Sequence, residues 1–172
     1  MEGTQQVDCS SSVNELSDKW VLWAHLPHNT DWSLRSYTNI CELDTVEKVI
    51  SLNRTLPEQL VQNCMLFLMK KGILPMWEDP KNLKGGCFSF KVPNKNIKNV
   101  WKNISYMLTG NTLSNNKELV KTINGVTISP KKSFCILKIW MENITFQNVT
   151  QLNNVPELAF TGCIFKKHKP DF

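Results

Sequence analysis

Hydrophobic positions change period several times along this chain, and each change marks an element. WVLWAH at 20–25 is a short apolar run with the length of a strand, and the polar turn LPHNTD follows it. A second strand is expected over Leu34–Cys41. Val46, Val49 and Ile50 recur at i, i+3 and i+4, one helical face, behind a start signal in which Asp44 caps and Glu47 completes a capping box. Pro57 opens another short helical turn. Cys64–Lys70 (CMLFLMK) has the length of a buried strand, and KGILPMWEDPKNLKGG up to Gly86 has no period and is expected to be a long loop. Cys87–Val92 alternates, with Phe88, Phe90 and Val92 on one side. Ile97, Val100, Trp101, Ile104 and Leu108 return to helical spacing, and Gly110 stops that helix. Loop over Thr112–Lys117 precedes two strands, Gly125–Ser129 and Phe134–Met141, joined by a turn at Pro130–Ser133; Leu158–Phe165 is expected to be the last strand. Strand neighbours lie close in sequence, so antiparallel pairing in an α+β fold is favoured over a doubly wound parallel sheet. The polar segment 1–18 is expected to be a flexible N-terminal tail, and 19–172 a single domain.

Composition narrows the function classes. The 172 residues suit one domain, and 41% hydrophobic against 20% charged residues excludes a disordered chain. No apolar run approaches the roughly 20 residues that span a bilayer, and MEGTQQVDCS lacks the basic and apolar segments of a secretory leader. Six scattered cysteines without a C-x-x-C pair suit free thiols in a reducing compartment, so a cytoplasmic, monomeric protein is expected. The net charge of +5 is too mild to imply nucleic acid by itself. Its distribution says more: Lys131 and Lys132 share one turn, and Lys166, Lys167, His168 and Lys169 form a basic tail. Arg35 and Arg54 are the only arginines, and asparagine is abundant, a bias compatible with the AT-rich genome of a virus or compact protist.

Catalytic constellations are absent. No phosphate-binding glycine loop, H-E-x-x-H or G-x-S-x-G occurs, so no catalytic residue, metal or cofactor is assigned. His25 and His28 flank a turn with no third ligand, and Glu78 and Asp79, adjacent in an extended loop, point apart. Tryptophan placement stands out instead. Trp20, Trp23 and Trp101 fall inside apolar patterns and suit a core, whereas Trp32 and Trp77 lie in polar loops. An aromatic face with a carboxylate beside it, as at Trp77–Glu78, suits a flat cationic ring whose N–H groups the carboxylate accepts. Guanine methylated at N7 is such a ring.

PMWEDPKNLKGG (75–86) closely resembles the eukaryotic translation initiation factor 4E family of mRNA cap-binding proteins. DKWVLW (18–23), the isolated Trp32, LDTVE (43–47), the Trp101 helix and Ile139–Trp140 extend the resemblance over roughly residues 16–165. It implies a curved antiparallel sheet with helices packed on its convex face, and recognition of the 7-methylguanosine 5′-triphosphate end of capped mRNA in translation initiation. Trp32 and Trp77 would sandwich the base, Glu78 would accept from its Watson–Crick edge, the Trp77 amide would reach O6, and Trp140 would pack on the methyl group. Lys131 aligns with a phosphate-contacting arginine of the family; Lys132 and Lys138 are further phosphate candidates.

Departures qualify the resemblance. The basic residue expected after the G-G pair is Cys87, and two later lysine positions hold Ser133 and Ile136, so the phosphate clamp is rebuilt or weakened. The family's surface for its 4G scaffold aligns with Val46, Ile50 and Lys102, where a tryptophan and a leucine have been lost. Each loss would cost on the order of 2 kcal/mol at a hot spot. A divergent 4G-like scaffold is therefore the expected partner, with no membrane; the alternative is a cap-binding decoy or repressor that ignores the usual scaffold.

Overall fold

The computed structural model describes residues 13–168. Seven strands form one antiparallel sheet in the order β2-β1-β3-β5-β6-β4-β7. They are β1 (Glu15–His25), β2 (Tyr37–Thr45), β3 (Met65–Lys70), β4 (Gly86–Pro93), β5 (Ile123–Pro130), β6 (Phe134–Met141) and β7 (Ile164–Lys167). Helices α1 (Val46–Thr55), α2 (Glu58–Asn63), α3 (Ile97–Thr109) and α4 (Lys117–Lys121) complete the domain. This is the expected α+β architecture.

Alternation along the strands sorts side chains to two faces. Leu22, Leu66, Leu68, Val126, Leu137, Ile139, Phe88 and Phe90 point to the helix-covered face and form the main core with Ile97, Val100, Trp101, Ile104 and Leu108 of α3. Each such side chain contributes roughly 1.5–3 kcal/mol on burial. The opposite face carries a smaller apolar floor of Phe67, Met69 and Trp140, with Trp23, Tyr37, Met65 and Ile73 against it. Trp23 therefore belongs to this second face and not to the main core.

Several boundaries differ from expectation. Residues 1–12 of the expected tail lie outside the described residues, but Glu15–Asp18 already belong to β1. Glu47 accepts from the Asn14 backbone and side-chain amides, which anchors the start of β1. The cap of α1 is Thr45, which accepts from the Lys48 amide at 3.3 Å, while Asp44 pairs with the Lys48 ammonium at 2.7 Å. With Thr45 in the cap position, Glu47 falls one residue short of a capping box. Leu34–Ser36 form a 3-10 turn rather than the start of β2, because Asp31 accepts from the Ser33 amide and the Arg35 guanidinium. Lys117 opens the unexpected α4, capped by the Asn116 side chain on the Glu118 and Leu119 amides. The last strand is shorter and later than Leu158–Phe165; Leu158 is buried at a turn after Glu157, whose φ is +65°. The five described cysteines are free, and Cys9 lies outside the described residues. No helix among the described residues is long and apolar enough to cross a membrane.

Candidate functional site

The floor of the open sheet face is built by register. Cys87 of β4 lies opposite Trp140 of β6 and Lys166 of β7; one row along, Ser89 lies opposite Lys138 and Ile164. Directly paired residues share a face, so Trp140, Lys138 and Lys166 all rise from the floor that holds Phe67 and Met69. Trp140 is almost wholly buried there, and its indole N–H donates to Thr127 Oγ1 at 2.8 Å.

Trp77 and Glu78 stand on the loop between β3 and β4, and that loop is pinned from inside. Asp79 turns inward and accepts from the Leu74 amide at 2.9 Å and the Lys81 amide at 2.8 Å. Asn82, fully buried, donates to the carbonyls of Met76 at 2.8 Å and Leu74 at 3.2 Å. Asn124 of β5 donates to Asn82 Oδ1 and to the Lys81 carbonyl, tying the loop to the sheet. Neighbouring carboxylates thus divide as expected: Asp79 braces, and Glu78 faces outward with no hydrogen-bond partner among the described residues. Trp77 is 41% exposed, and its ring stacks on no other ring among the described residues. Burial, and then the charge of Glu78, raises the pKa of the Tyr37 phenol.

Trp32 is 53% exposed, and one of its faces is already covered. His25, at the end of β1, stacks on it with ring centroids 4.2 Å apart and planes at 2°, while its Nε2 bonds to the Asp31 carbonyl at 2.9 Å. Tyr37 packs edge-on against His25 and then against Phe67, so Trp32 is continuous with the floor. Sequence reasoning weighed His25 only as a metal ligand, and the described residues contain no group of three His, Cys, Asp or Glu that could hold a metal. An aromatic ring closing an apolar strand was the available signal for its packing role.

Trp32 and Trp77 line separate cavities. Trp32 borders one of about 680 Å³ with His25, His28, Met65, Lys131 and Lys132. Trp77 borders one of about 430 Å³ with Trp140, Lys131, Lys138, Lys166 and His168. Lys131 and Ser129 line both, so the β5–β6 turn connects the two halves. The three lysines singled out from sequence are therefore divided: Lys132 on the Trp32 side, Lys138 on the Trp77 side, Lys131 between. No ring contact joins Trp32 to Trp77.

His168 closes the far end. Its ring lies on Trp140 with centroids 4.6 Å apart, and its amide donates to the Gly85 carbonyl at 3.0 Å. Burial, and then the charge of Lys138, lowers its pKa from 6.5 to about 4. A proton thus prefers the unfolded chain between those values, and the stability that His168 contributes falls as pH drops from 6.5 towards 4. Its imidazole resonances are expected to titrate near pH 4 in an NMR pH series, with the midpoint moving upward in Lys138→Gln; titration near 6.5 in the intact protein would contradict this packing.

On the helix side, Val46, Val49 and Ile50 of α1 line an apolar groove of about 430 Å³ with Leu16, Tyr106 and Gly110. Lys102 is exposed on α3 and does not line it, so the structure brings Val46 and Ile50 together and leaves Lys102 outside the groove.

The model of the family described as "Eukaryotic initiation factor 4E" matches residues 15–162. An initiation factor 4E homolog of Acanthamoeba polyphaga mimivirus is 42% identical over 62 residues, which are 36% of this chain and 23% of that protein. Initiation factor 4E of Eremothecium gossypii is 29% identical over 165 residues, covering 84% of this chain and 75% of that protein. Among solved structures, C. elegans eIF4E-3 in complex with the 4E-binding protein Mextli superposes with a TM-score of 0.70 at 22% identity, covering 81% of each chain. Ascaris suum eIF4E-3 with m7G cap superposes at 0.69 and 24% identity, covering 80% of this chain and 78% of that one. At these identities the structural likeness is one of fold.

Proposed function

This chain belongs to the eukaryotic initiation factor 4E family, and we propose that it binds the 7-methylguanosine 5′-triphosphate end of capped mRNA and serves translation initiation in the cytoplasm. The observation that carries the reading is the pairing of an exposed Trp77 with an unpartnered Glu78 carboxylate on a loop braced by Asp79 and Asn82. Rigid donors and acceptors bind without an ordering cost, which favours a single ligand shape.

Recognition follows from the chemistry of the ring. Methylation at N7 gives guanine a positive charge, which strengthens stacking on the open faces of Trp77 and Trp32. Glu78 accepts from N1–H and the N2 amino group, a charge-assisted pair. The Trp77 backbone amide, which donates to no acceptor among the described residues, is free to meet O6. Trp140 forms the floor against which the methyl group rests. No bond is made or broken. The groove at Val46 and Ile50 would receive a divergent scaffold protein; C. elegans eIF4E-3 is itself solved in complex with the 4E-binding protein Mextli.

The test is a tryptophan-fluorescence titration with 7-methyl-GTP and with GTP. Selective quenching by the methylated nucleotide is expected, and Glu78→Ala should weaken it about tenfold or more, since a charged hydrogen-bond pair contributes roughly 1.5–3 kcal/mol. Equal responses to the two nucleotides would exclude the reading.

A further inference from the structure

Cys87, the residue after Gly85–Gly86, is 5% exposed. The structure shows what lies beside it. Strand β7 pairs with β4 so that Lys166 stands directly opposite Cys87, on the face shared with Trp140 and Lys138. β7 begins at Ile164, beyond residue 162 where the family model ends. Its close approach is accommodated at Gly86, where an added Cβ would lie 2.6 Å from the Lys166 carbonyl oxygen.

Lys131, Lys138 and Lys166 line the Trp77 cavity, and no aspartate or glutamate among the described residues does. None of Lys131, Lys138 and Lys166 has an ion-pair partner among the described residues, whereas Lys48, Lys70, Lys71, Lys81, Lys98 and Lys121 do. Lys166 and Lys138 stand two strands and one row apart, so their Cα atoms are separated by about 12 Å. Two extended lysine side chains close such a gap on a shared anion. Lysines on an edge strand also deter edge-to-edge pairing, but that role does not require a particular face, and it predicts no dependence on phosphate.

We propose that Lys166 is a phosphate-binding residue, which with Lys131 and Lys138 holds the phosphate groups of a nucleotide whose base is stacked on Trp77. This inference rests on the cap-binding reading and extends it by a residue outside the family match. The phosphates are those of the 5′–5′ triphosphate bridge or of the first RNA linkages beyond it.

The experiment compares 7-methylguanosine, its mono-, di- and triphosphates and a short capped RNA on the wild type, Lys166→Ala and Lys91→Ala. Lys91 is the control: it lies over the Phe134 ring at 4.4 Å, outside the cavity. Wild type and Lys91→Ala should tighten with each added phosphate. Lys166→Ala should bind the nucleoside unchanged and lose about tenfold in affinity for the triphosphate. A loss confined to the capped RNA assigns Lys166 to the RNA linkages. A full phosphate gain in Lys166→Ala, or a wild type that binds the nucleoside but gains nothing from phosphates, overturns this inference and leaves the base-binding reading standing. A wild type that binds none of the ligands overturns both. Unchanged thermal unfolding of Lys166→Ala confirms that the exposed substitution leaves the fold intact.

Discussion

Trp77→Ala is expected to weaken 7-methyl-GTP binding at least about 100-fold while leaving the unfolding midpoint almost unchanged. Stacking contributes roughly 1–3 kcal/mol per base face, and cation–π attraction adds to it when the site is desolvated, so a loss near 2.8 kcal/mol is the central expectation. The fold does not depend on this ring. It is 41% exposed, touches no other ring among the described residues, and sits on a loop whose brace comes from Asp79 and Asn82. Trp32 is less clean as a target, because its removal also uncovers His25, stacked at 4.2 Å and buried behind it. Calorimetry is the suitable readout, since it does not use the tryptophan that the variant lacks. Retention of wild-type affinity in Trp77→Ala would remove the loop from the binding site.

The separation of a clean target from a coupled one shows what local pattern can and cannot carry. β6 coincides with its expected bounds, Phe134–Met141, because alternation over a full strand is a local property. α3 follows its apolar spacing from Ile97 to Leu108 for the same reason. Leu158 misled because burial under a turn and burial in a strand leave the same apolar letter. The P-M-W-E-D block marked Trp77 and Glu78, since exposed aromatic and acidic residues in a loop have few structural reasons to be there. Their support was not legible: Asn82 and Asn124 are 42 positions apart, and nothing local distinguishes a bracing asparagine from the many solvated ones in this chain. The basic tail was visible as charge, but its placement opposite Cys87 depends on β-register, which is settled by long-range pairing. Lys131, Lys132 and Lys138 looked like one group for the complementary reason. They are near in sequence, yet Lys132 sits in the turn after β5 and Lys138 on β6, and the two line different cavities.

The bracing asparagine carries the second large expectation. Asn82→Leu should lower stability by about 3 kcal/mol and weaken 7-methyl-GTP binding about 30-fold, although Asn82 is fully buried and faces away from the proposed ligand. Leucine has the same number and branching of side-chain heavy atoms as asparagine but is bulkier, so the substitution opens no cavity and removes the hydrogen bonds at some cost in overpacking. It strips the Met76 and Leu74 carbonyls of the amide that meets them at 2.8 and 3.2 Å. It also leaves the Asn124 amide without the Oδ1 acceptor at 3.0 Å, although the Lys81 carbonyl at 2.9 Å remains. Each buried group left unpaired costs roughly 1–3 kcal/mol, and water entering beside the loop recovers part of the total. Met76 directly precedes Trp77, so the segment that loosens is the one that aims the ring and the Glu78 carboxylate. Ordering it on binding then draws on the interaction energy, and affinity falls without loss of any ligand contact. Two measurements separate this from general unfolding. Hydrogen exchange should quicken at the Asp79, Asn82 and Leu83 amides while the α3 amides keep their protection, and affinity should recover as temperature is lowered and the loop re-forms. A stable Asn82→Leu protein with wild-type affinity and unchanged exchange would show that Asp79, through the Leu74 and Lys81 amides, suffices to hold the loop.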